Sequence, residues 1–140
     1  MIPNLSQINN FDYEKLISDA RKSSLRRSRI LIHENGSAVA QKMVIALFHD
    51  SNIGMHRHPV DKTETYIPLI GELQIKYVFS NFEEKLTTSG TNLSSAPPNI
   101  ITHSNGIWHE PKSISEFCVY FEIYDGPFDK LNDVEYRDQI

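Results

Sequence analysis

From residue 29 onward, the hydrophobic pattern of the chain repeats every two residues, in short runs separated by turn residues. In one run, Leu73, Ile75 and Tyr77 alternate with polar side chains, which is typical of a strand that buries one face. Seven runs are predicted as strands: 29–33, 41–49, 64–70, 72–79, 84–88, 99–103 and 115–124. Because no helical pattern separates them, the crossovers of a parallel sheet are missing, and the sequence predicts an all-β antiparallel sandwich or barrel.

A helix is predicted ahead of the strands, over residues 10–23. Tyr13, Leu16 and Ala20 recur at helical spacing, and Asn10 is a suitable N-cap. We expect this short N-terminal helix to pack on the main body as an appendage.

The length of 140 residues and the net charge of −4 indicate one globular domain with a modest core. We divide the chain into a helical appendage (1–24), a barrel (25–128) and a tail (129–140). The single cysteine, Cys118, excludes an internal disulfide and a cysteine-rich zinc module. No apolar run approaches the ~18 to 20 residues of a membrane span, and residues 1–10 lack the order of a signal peptide, so we expect a cytoplasmic protein without membrane contact.

A His-x-His pair is the first candidate for chemistry. On an extended strand, His56 and His58 point to the same face, and both imidazoles can reach one metal ion. Glu64 shares their parity after a turn and could add a carboxylate oxygen. The alternative interpretation is two solvent-exposed histidines beside a turn.

A second histidine element follows about fifty residues later. His109 lies between a turn at Gly106 and a break at Pro111, a context that suits a side chain at the mouth of a barrel. The alternative is a hydrogen-bonded core histidine. His49 and His103 are interpreted as surface or strand-end residues.

These residues resemble the two motifs of the cupin superfamily. HRHPVDKTE, with Gly71 seven residues on, resembles its first motif, and the GIWH stretch ending at His109 resembles the end of its second. More closely, SLRRSRILIH, HRHPVDKTET, GIWH and FEIYDGPFD are similar to the WbuC-type cupin-fold metalloproteins, which are often encoded among bacterial surface-polysaccharide genes.

The resemblance implies a cupin-type antiparallel β-barrel, or jelly roll, with one bound divalent metal ion per chain. It places His56, His58, Glu64 and His109 at the ligand positions. Three imidazole nitrogens and one carboxylate suit Fe, Mn, Ni, Co or Zn. Four protein ligands would leave a coordination position open, as in a catalytic centre.

Two further residues are candidates for catalysis next to such a centre. Tyr66 shares parity with Glu64, and Glu122 lies in mid-strand on the face that carries Cys118 and Tyr120. Buried hydroxyls and carboxylates commonly orient metal ligands, and a carboxylate there could also move a proton. The alternative for Glu122 is a solvated outer face.

The run 21–29 holds five bases and no acid. A solvated basic face is one interpretation. The other is that Arg26, Arg27 or Arg29 meets a phosphate or carboxylate of a substrate, with His33 facing the same pocket. Nucleic-acid binding is not expected, because one short run does not make a basic surface.

The sequence therefore predicts a metal-binding cupin, expected as a homodimer, that acts on a small anionic sugar or nucleotide-sugar of surface-polysaccharide (O-antigen or capsule) biosynthesis. Isomerase-like, epimerase-like and oxygen-dependent chemistry all fit a metal in an open site. The alternative is a non-catalytic module that binds a metal or a sugar.

Overall fold

The computed structural model describes residues 7–90 and 99–137. Residues 1–6 of the predicted appendage and 138–140 of the predicted tail lie outside the described residues. Within these described ranges, one helix and ten strands follow in chain order: α1 (Asn10–Lys22), β1 (Arg27–Leu31), β2 (Ala40–Phe48), β3 (His56–Arg57), β4 (Glu64–Ile70), β5 (Glu72–Val78), β6 (Glu83–Ser89), β7 (Ile101–His103), β8 (Trp108–Ser113), β9 (Phe117–Asp125) and β10 (Glu135–Tyr136).

The strands form two antiparallel five-stranded sheets. Sheet A has the order β1-β2-β9-β4-β7, and sheet B has the order β10-β3-β8-β5-β6. The predicted fold class, an all-β antiparallel cupin-type barrel with a short N-terminal helix, is confirmed. The seven predicted runs all contain strands, and their bounds differ from the observed ones by at most two residues at either end.

Three strands were not predicted: β3, β8 and β10. β8 contains Pro111, which the sequence suggested as a break. β3 pairs with β8 only at His109, so among the described residues the rest of β8 has no neighbouring strand on that side. Pro111 is tolerated there because its missing N–H would have had no strand partner.

The helix covers the outer face of sheet A. Asn9, rather than the predicted Asn10, is the N-cap, and it forms a capping box with Asp12. Leu16 and Ala20 are buried against Val44 of β2, in a cluster that also contains Ala46, Phe48 and Val119. The predicted helical face is therefore the face that packs.

A second hydrophobic cluster fills the space between the two sheets: Leu47, Tyr66, Leu73, Ile75, Tyr77, Ile101, Cys118 and Tyr120. The alternating residues of β9 are divided between the two clusters, since Val119 faces the helix and Tyr120 faces the barrel interior. Glu122 has the parity of Tyr120, which places it on the inner face. No helix among residues 7–90 and 99–137 is long and apolar enough to cross a membrane.

Candidate metal centre

Two cross-strand pairs bring ligand-type side chains to one end of the barrel. In sheet B, His56 of β3 is directly opposite His109 of β8. In sheet A, Glu64 of β4 is directly opposite His103 of β7. His58 follows β3 by one residue and shares the parity of His56. The pleat of both sheets therefore directs these side chains toward the same space.

The carboxylate of Glu64 lies at the centre of this group. Its Oε1 is 3.1 Å from His109 Nε2 and 3.3 Å from His103 Nε2. Its Oε2 is 3.3 Å from His58 Nε2. The hydroxyl of Tyr66 donates a hydrogen bond to Oε1. Glu64 is 4% exposed and His109 is fully buried, so the group is shielded from bulk water.

The far nitrogen of three imidazoles is bound to a main-chain carbonyl. Nδ1 of His56 is 2.9 Å from the carbonyl of Gly54, Nδ1 of His109 is 2.9 Å from that of Ile107, and Nδ1 of His58 is 2.8 Å from that of Asp133. A carbonyl only accepts, so each Nδ1 carries the proton and donates it. In the neutral ring, Nε2 then presents a lone pair, the form that binds a metal.

In this tautomer, the lone pairs of the imidazole Nε2 atoms face the lone pairs of the Glu64 carboxylate. Nε2 of His58 and Nε2 of His109 both face oxygens of the same carboxylate, and two acceptors at 3.1 to 3.3 Å repel unless a cation lies between them. Among the described residues, His58 Nε2 and His103 Nε2 are buried without a hydrogen-bond partner. Such orphaned nitrogens are what a metal site presents when only the protein atoms are considered.

The spacing also suits a metal ion. Ligand atoms that are each about 2.1 Å from one ion lie roughly 3.0 to 3.4 Å apart in octahedral or tetrahedral geometry. The Glu64 distances fall in this range. One ligand atom from each of His58, Glu64, His103 and His109 can be chosen so that all four lie within 4.8 Å of one another. Nitrogen and carboxylate donors of this kind fit a divalent transition metal.

His56 borders this four-residue group. Its ring centre is 4.3 Å from that of His109 and 5.2 Å from that of His58, and the residue is buried. The structure thus groups three of the four residues implied by the resemblance, His58, Glu64 and His109, with His103, and it leaves His56 at the border of that group.

The interpretation of His103 as a surface or strand-end residue is wrong with respect to burial. It does end β7, but it is buried at 9% exposure, its ring centre lies 4.0 Å from that of His109, and its Nδ1 is 2.9 Å from the hydroxyl of Tyr77. Its parity within the predicted strand 99–103 was visible in the sequence. The pairing of β7 with β4, which carries His103 to Glu64, was not.

The local environment shifts the pKa values of the site residues in different directions. Burial, followed by the nearby His109, lowers the pKa of His56 to about 4. Burial also lowers the pKa of His103. Burial acts downward on the pKa of His58 too, but the adjacent carboxylate of Glu64 raises it overall. Burial acts to raise the pKa of Glu64, yet its bonds to the imidazoles hold that pKa well below the ordinary value. Glu64 is therefore an anion.

The two predicted catalytic residues lie side by side on the inner face. Tyr66 of β4 is directly opposite Glu122 of β9, and Tyr66 also contacts Glu64 through its hydroxyl. Burial, followed by the charges of Glu64 and Glu122, raises the pKa of Tyr66 well above its ordinary value, so its hydroxyl stays protonated and donates. Burial and the charge of Glu64 raise the pKa of Glu122 well above its ordinary value, while Arg29 acts in the opposite direction.

The basic residues are divided between two places. Arg26 binds Asp50 through Nε at 2.9 Å and lies over the ring of Phe48, on the helix side of sheet A. Arg27 and Arg29 of β1 are directly opposite Leu47 and Ile45, and so have inner-face parity.

Arg27 already has partners: it reaches Ser51 Oγ at 3.3 Å and the carbonyl of Asn52 at 3.4 Å. His33 is held at the far end of β1, where its Nδ1 accepts from the N–H of Lys42 at 3.0 Å. The structure therefore gives Arg27 and Arg29 inner-face positions, with the charge of Arg29 acting on Glu122. It brings neither Arg26 nor His33 to the metal centre.

Solved structures share this architecture at low sequence identity. CapF, a capsular polysaccharide assembling protein from Staphylococcus aureus, is 17% identical, with a TM-score of 0.64 over 78% of this chain and 29% of CapF. Oxalate oxidase in complex with the substrate analogue glycolate is 9% identical, with a TM-score of 0.60 over 82% of this chain and 57% of that chain.

A protein from Klebsiella pneumoniae, described as an uncharacterized conserved protein with a double-stranded beta-helix domain, is 12% identical. Its TM-score is 0.62 over 99% of this chain and 100% of that one. At these identities the likeness concerns the fold, which is the cupin or double-stranded β-helix fold. The chain spans less than a third of the length of CapF.

No protein with a curated description matches the chain. A family model described as "Domain of unknown function (DUF6016)" matches residues 8–88. That stretch includes α1 through most of β6, and with them His56, His58 and Glu64.

Proposed function

Because the chain belongs to the DUF6016 family, whose description gives no activity, its function has to be inferred from the site, and we propose that it is a metal-dependent cupin enzyme. The proposed substrate is a small anionic sugar or nucleotide-sugar of surface-polysaccharide biosynthesis. The proposed cofactor is one divalent ion per chain, Fe, Mn, Ni, Co or Zn, held by His56, His58, Glu64 and His109.

One observation carries the metal assignment: the Nε2 atoms of three imidazoles face the oxygens of a single buried carboxylate. His58 and His109 have their protons engaged by main-chain carbonyls, so neither can donate to Glu64 without a second proton. One carboxylate can neutralise one imidazolium and no more. A divalent cation bound between the donors removes every one of these repulsions at once.

The inner face of sheet A supports an enzymatic role. A bound divalent ion would act as a Lewis acid that polarises a carbonyl or hydroxyl oxygen. Tyr66 orients Glu64 by donating to it. Glu122, whose raised pKa favours its protonated form, is suited to donate a proton first and to take one back afterwards. Isomerisation or epimerisation needs this kind of proton movement; with iron, oxygen-dependent chemistry is also compatible.

The anionic sugar is supported more indirectly. Arg27 and Arg29 have inner-face parity, and guanidinium groups bind phosphates and carboxylates bidentately. The WbuC-type resemblance suggests a polysaccharide context, and a structural neighbour, CapF, is described as a capsular polysaccharide assembling protein. We retain Arg27 and Arg29 as substrate-binding candidates because they have inner-face parity, whereas Arg26 lies on the helix side of sheet A, bound to Asp50.

A second function, that of a non-catalytic metal- or sugar-binding module, is favoured by one observation. His103 completes a four-residue group with His58, Glu64 and His109, and His56 at its border is a possible fifth donor. If all five bound the ion, at most one position of a six-coordinate ion would stay open, which is closer to a closed structural centre.

The proposal is tested by loading the purified protein with each candidate metal and measuring metal per chain by elemental analysis. We expect one ion per chain, and we expect His109→Ala to lose it. His49→Ala is the matched control, because His49 is exposed and bonded to the carbonyl of Glu116. A His109→Ala protein that keeps one ion per chain would remove the site assignment.

Removal of the ion with a chelator separates the two functions. An enzyme is expected to keep its fold without the ion while losing the ability to bind nucleotide-sugars in a thermal-shift screen. A structural module is expected to unfold. Within the screen, Arg29→Ala should weaken binding of anionic sugars and leave the metal content unchanged.

A further inference from the structure

The segment 129–137, which the sequence suggested as part of a surface tail, runs alongside the His-x-His strand. We name it the C-terminal strap. Its strand β10 pairs with β3, with Glu135 opposite Arg57 and Tyr136 opposite His56. The N–H of Arg137 donates to the carbonyl of Met55 at 2.9 Å. The strap therefore forms the outer neighbour of the strand that holds two of the proposed ligands.

One atom of the strap acts directly on a proposed ligand. The carbonyl oxygen of Asp133 accepts from His58 Nδ1 at 2.8 Å. This bond fixes the tautomer of His58 and turns its Nε2 toward Glu64. The other two ligand imidazoles donate the same bond to carbonyls two positions away in the chain, His56 to Gly54 and His109 to Ile107. His58 depends on a carbonyl 75 residues away.

The side chain of Asp133 anchors that carbonyl. The residue is 2% exposed. Its Oδ2 accepts from the N–H of Asp129 at 2.8 Å, and its Oδ1 is 3.3 Å from Lys62 Nζ. Lys62 Nζ also donates to the carbonyl of Pro127 at 2.7 Å. A buried carboxylate with these partners holds the turn 129–133 in one conformation.

The strap contributes little to the hydrophobic interior. The two hydrophobic clusters contain no residue beyond Phe121. The apolar side chains of the strap are exposed, Leu131 at 88% and Tyr136 at 61%. Its buried contacts are polar, and they converge on His58 and its neighbours.

From this arrangement we propose that the C-terminal strap is a positioning element for the metal centre, with Asp133 as the positioning residue that acts through His58. The inference rests on the proposed metal function. Because the strap orients a ligand, bound metal must in turn stabilise the docked strap by the same free energy.

Metal affinity of an Asp133→Ala variant tests the proposal. Loss of an outer hydrogen-bond partner of a ligand typically weakens metal binding about 10- to 100-fold, and we expect a loss in that range. Asp133→Asn keeps an acceptor for the N–H of Asp129, and its metal affinity should lie between that of Asp133→Ala and that of the natural protein. Leu131→Ala is the matched control within the strap and should bind metal as the natural protein does. Asp133→Ala with unchanged affinity would overturn the proposal.

Two measurements on the unaltered protein do not depend on how the variants fold. In the metal-free protein, nitrogen NMR should find a proton on Nδ1 of His58, and an unprotonated Nδ1 would overturn the proposal. Addition of metal should slow hydrogen exchange at the Arg137 amide, and equal exchange with and without metal would count against the strap. If the natural protein binds no metal at all, the proposed function is wrong. If it binds metal with an affinity that Asp133→Ala does not change, only the proposed role of the C-terminal strap is wrong.

Discussion

Two carboxylates on the inner face of one sheet experience opposite environments. Glu64 is surrounded by imidazoles, which hold its pKa well below the ordinary value, against the effect of burial. Glu122 has no such partners within the described residues, and burial together with the charge of Glu64 raises its pKa well above the ordinary value. Because their pKa values differ in this way, Glu64 is suited to bind a cation and Glu122 is suited to transfer a proton.

A Glu122→Gln substitution tests this difference. Because the folded protein raises the pKa of Glu122, it binds that proton more tightly than the unfolded chain does. The stability that results is fully present below the pKa of Glu122 in the unfolded chain, and it is lost as pH rises through the pKa of Glu122 in the folded protein. As pH rises between these two pKa values, the free energy of unfolding of metal-free Glu122→Gln should increase relative to that of the natural protein by up to ~1.4 kcal/mol per pH unit.

The measurement is urea unfolding at a series of pH values from 4 to 8. Glu116→Gln, at an exposed position before β9, controls for the removal of a carboxyl group. A difference between Glu122→Gln and the natural protein that stays constant with pH would contradict the raised pKa.

At the scale of elements, the tight turn from β4 to β5 carries the chain from one sheet to the other. Gly71 adopts φ +76° there, and a Cβ added to it would lie 2.5 Å from the carbonyl oxygen of Phe117. Its own carbonyl accepts from the N–H of Gly90 at 2.8 Å. The turn therefore needs both the left-handed conformation and the absence of a side chain.

We expect Gly71→Ala to lower the free energy of unfolding by at least about 2 kcal/mol, from backbone strain and the contact with Phe117. Urea denaturation measures it. Gly36→Ala is the control, because the nearest atom to its Cβ would be 3.9 Å away and its φ is not positive. Equal stability of the two variants would show that the turn tolerates a side chain.

The elements that could be predicted are those whose local pattern is strong. The alternation of Leu73, Ile75 and Tyr77 predicts β5 without any knowledge of its partners. β3 and β10 have two residues each, too few for any period to appear, and both are defined by pairing with distant segments: β3 with β10 and β8, and β10 with β3. Pairing between distant segments is decided by the whole fold, and local sequence carries no record of it.

The same distinction applies to the metal centre. His56, His58 and Glu64 share parity within one stretch of chain, and a known motif pattern adds His109. His103 and Asp133 reach the site only through the register of β4 with β7 and the docking of the strap. Their roles require three-dimensional information.

At the scale of the molecule, the two hydrophobic clusters lie on opposite faces of sheet A. Leu16 belongs to the outer cluster, under the helix, and Tyr66 belongs to the inner one, beside the metal centre. Since no residue is shared between the clusters, stability contributed by the helix can be altered without touching the site.

Leu16→Ala should lower the free energy of unfolding by about 2 to 4 kcal/mol, because the side chain is 2% exposed and its loss leaves a cavity. Metal affinity should not change. Urea unfolding and metal titration of the same preparation give both quantities, with Phe11→Ala, 70% exposed on the same helix, as the control. A parallel loss of metal affinity would show that the two faces of the sheet are coupled.

The strand order of sheet A has a consequence for how the protein folds during its synthesis. β9 lies between β2 and β4, yet it follows both of them in the chain by many residues. A ribosome has therefore released β2 and β4 long before it makes the strand that joins them, and their edges stay unpaired on the nascent chain during that time. The barrel closes late in synthesis, and this interval is when the protein is most open to aggregation.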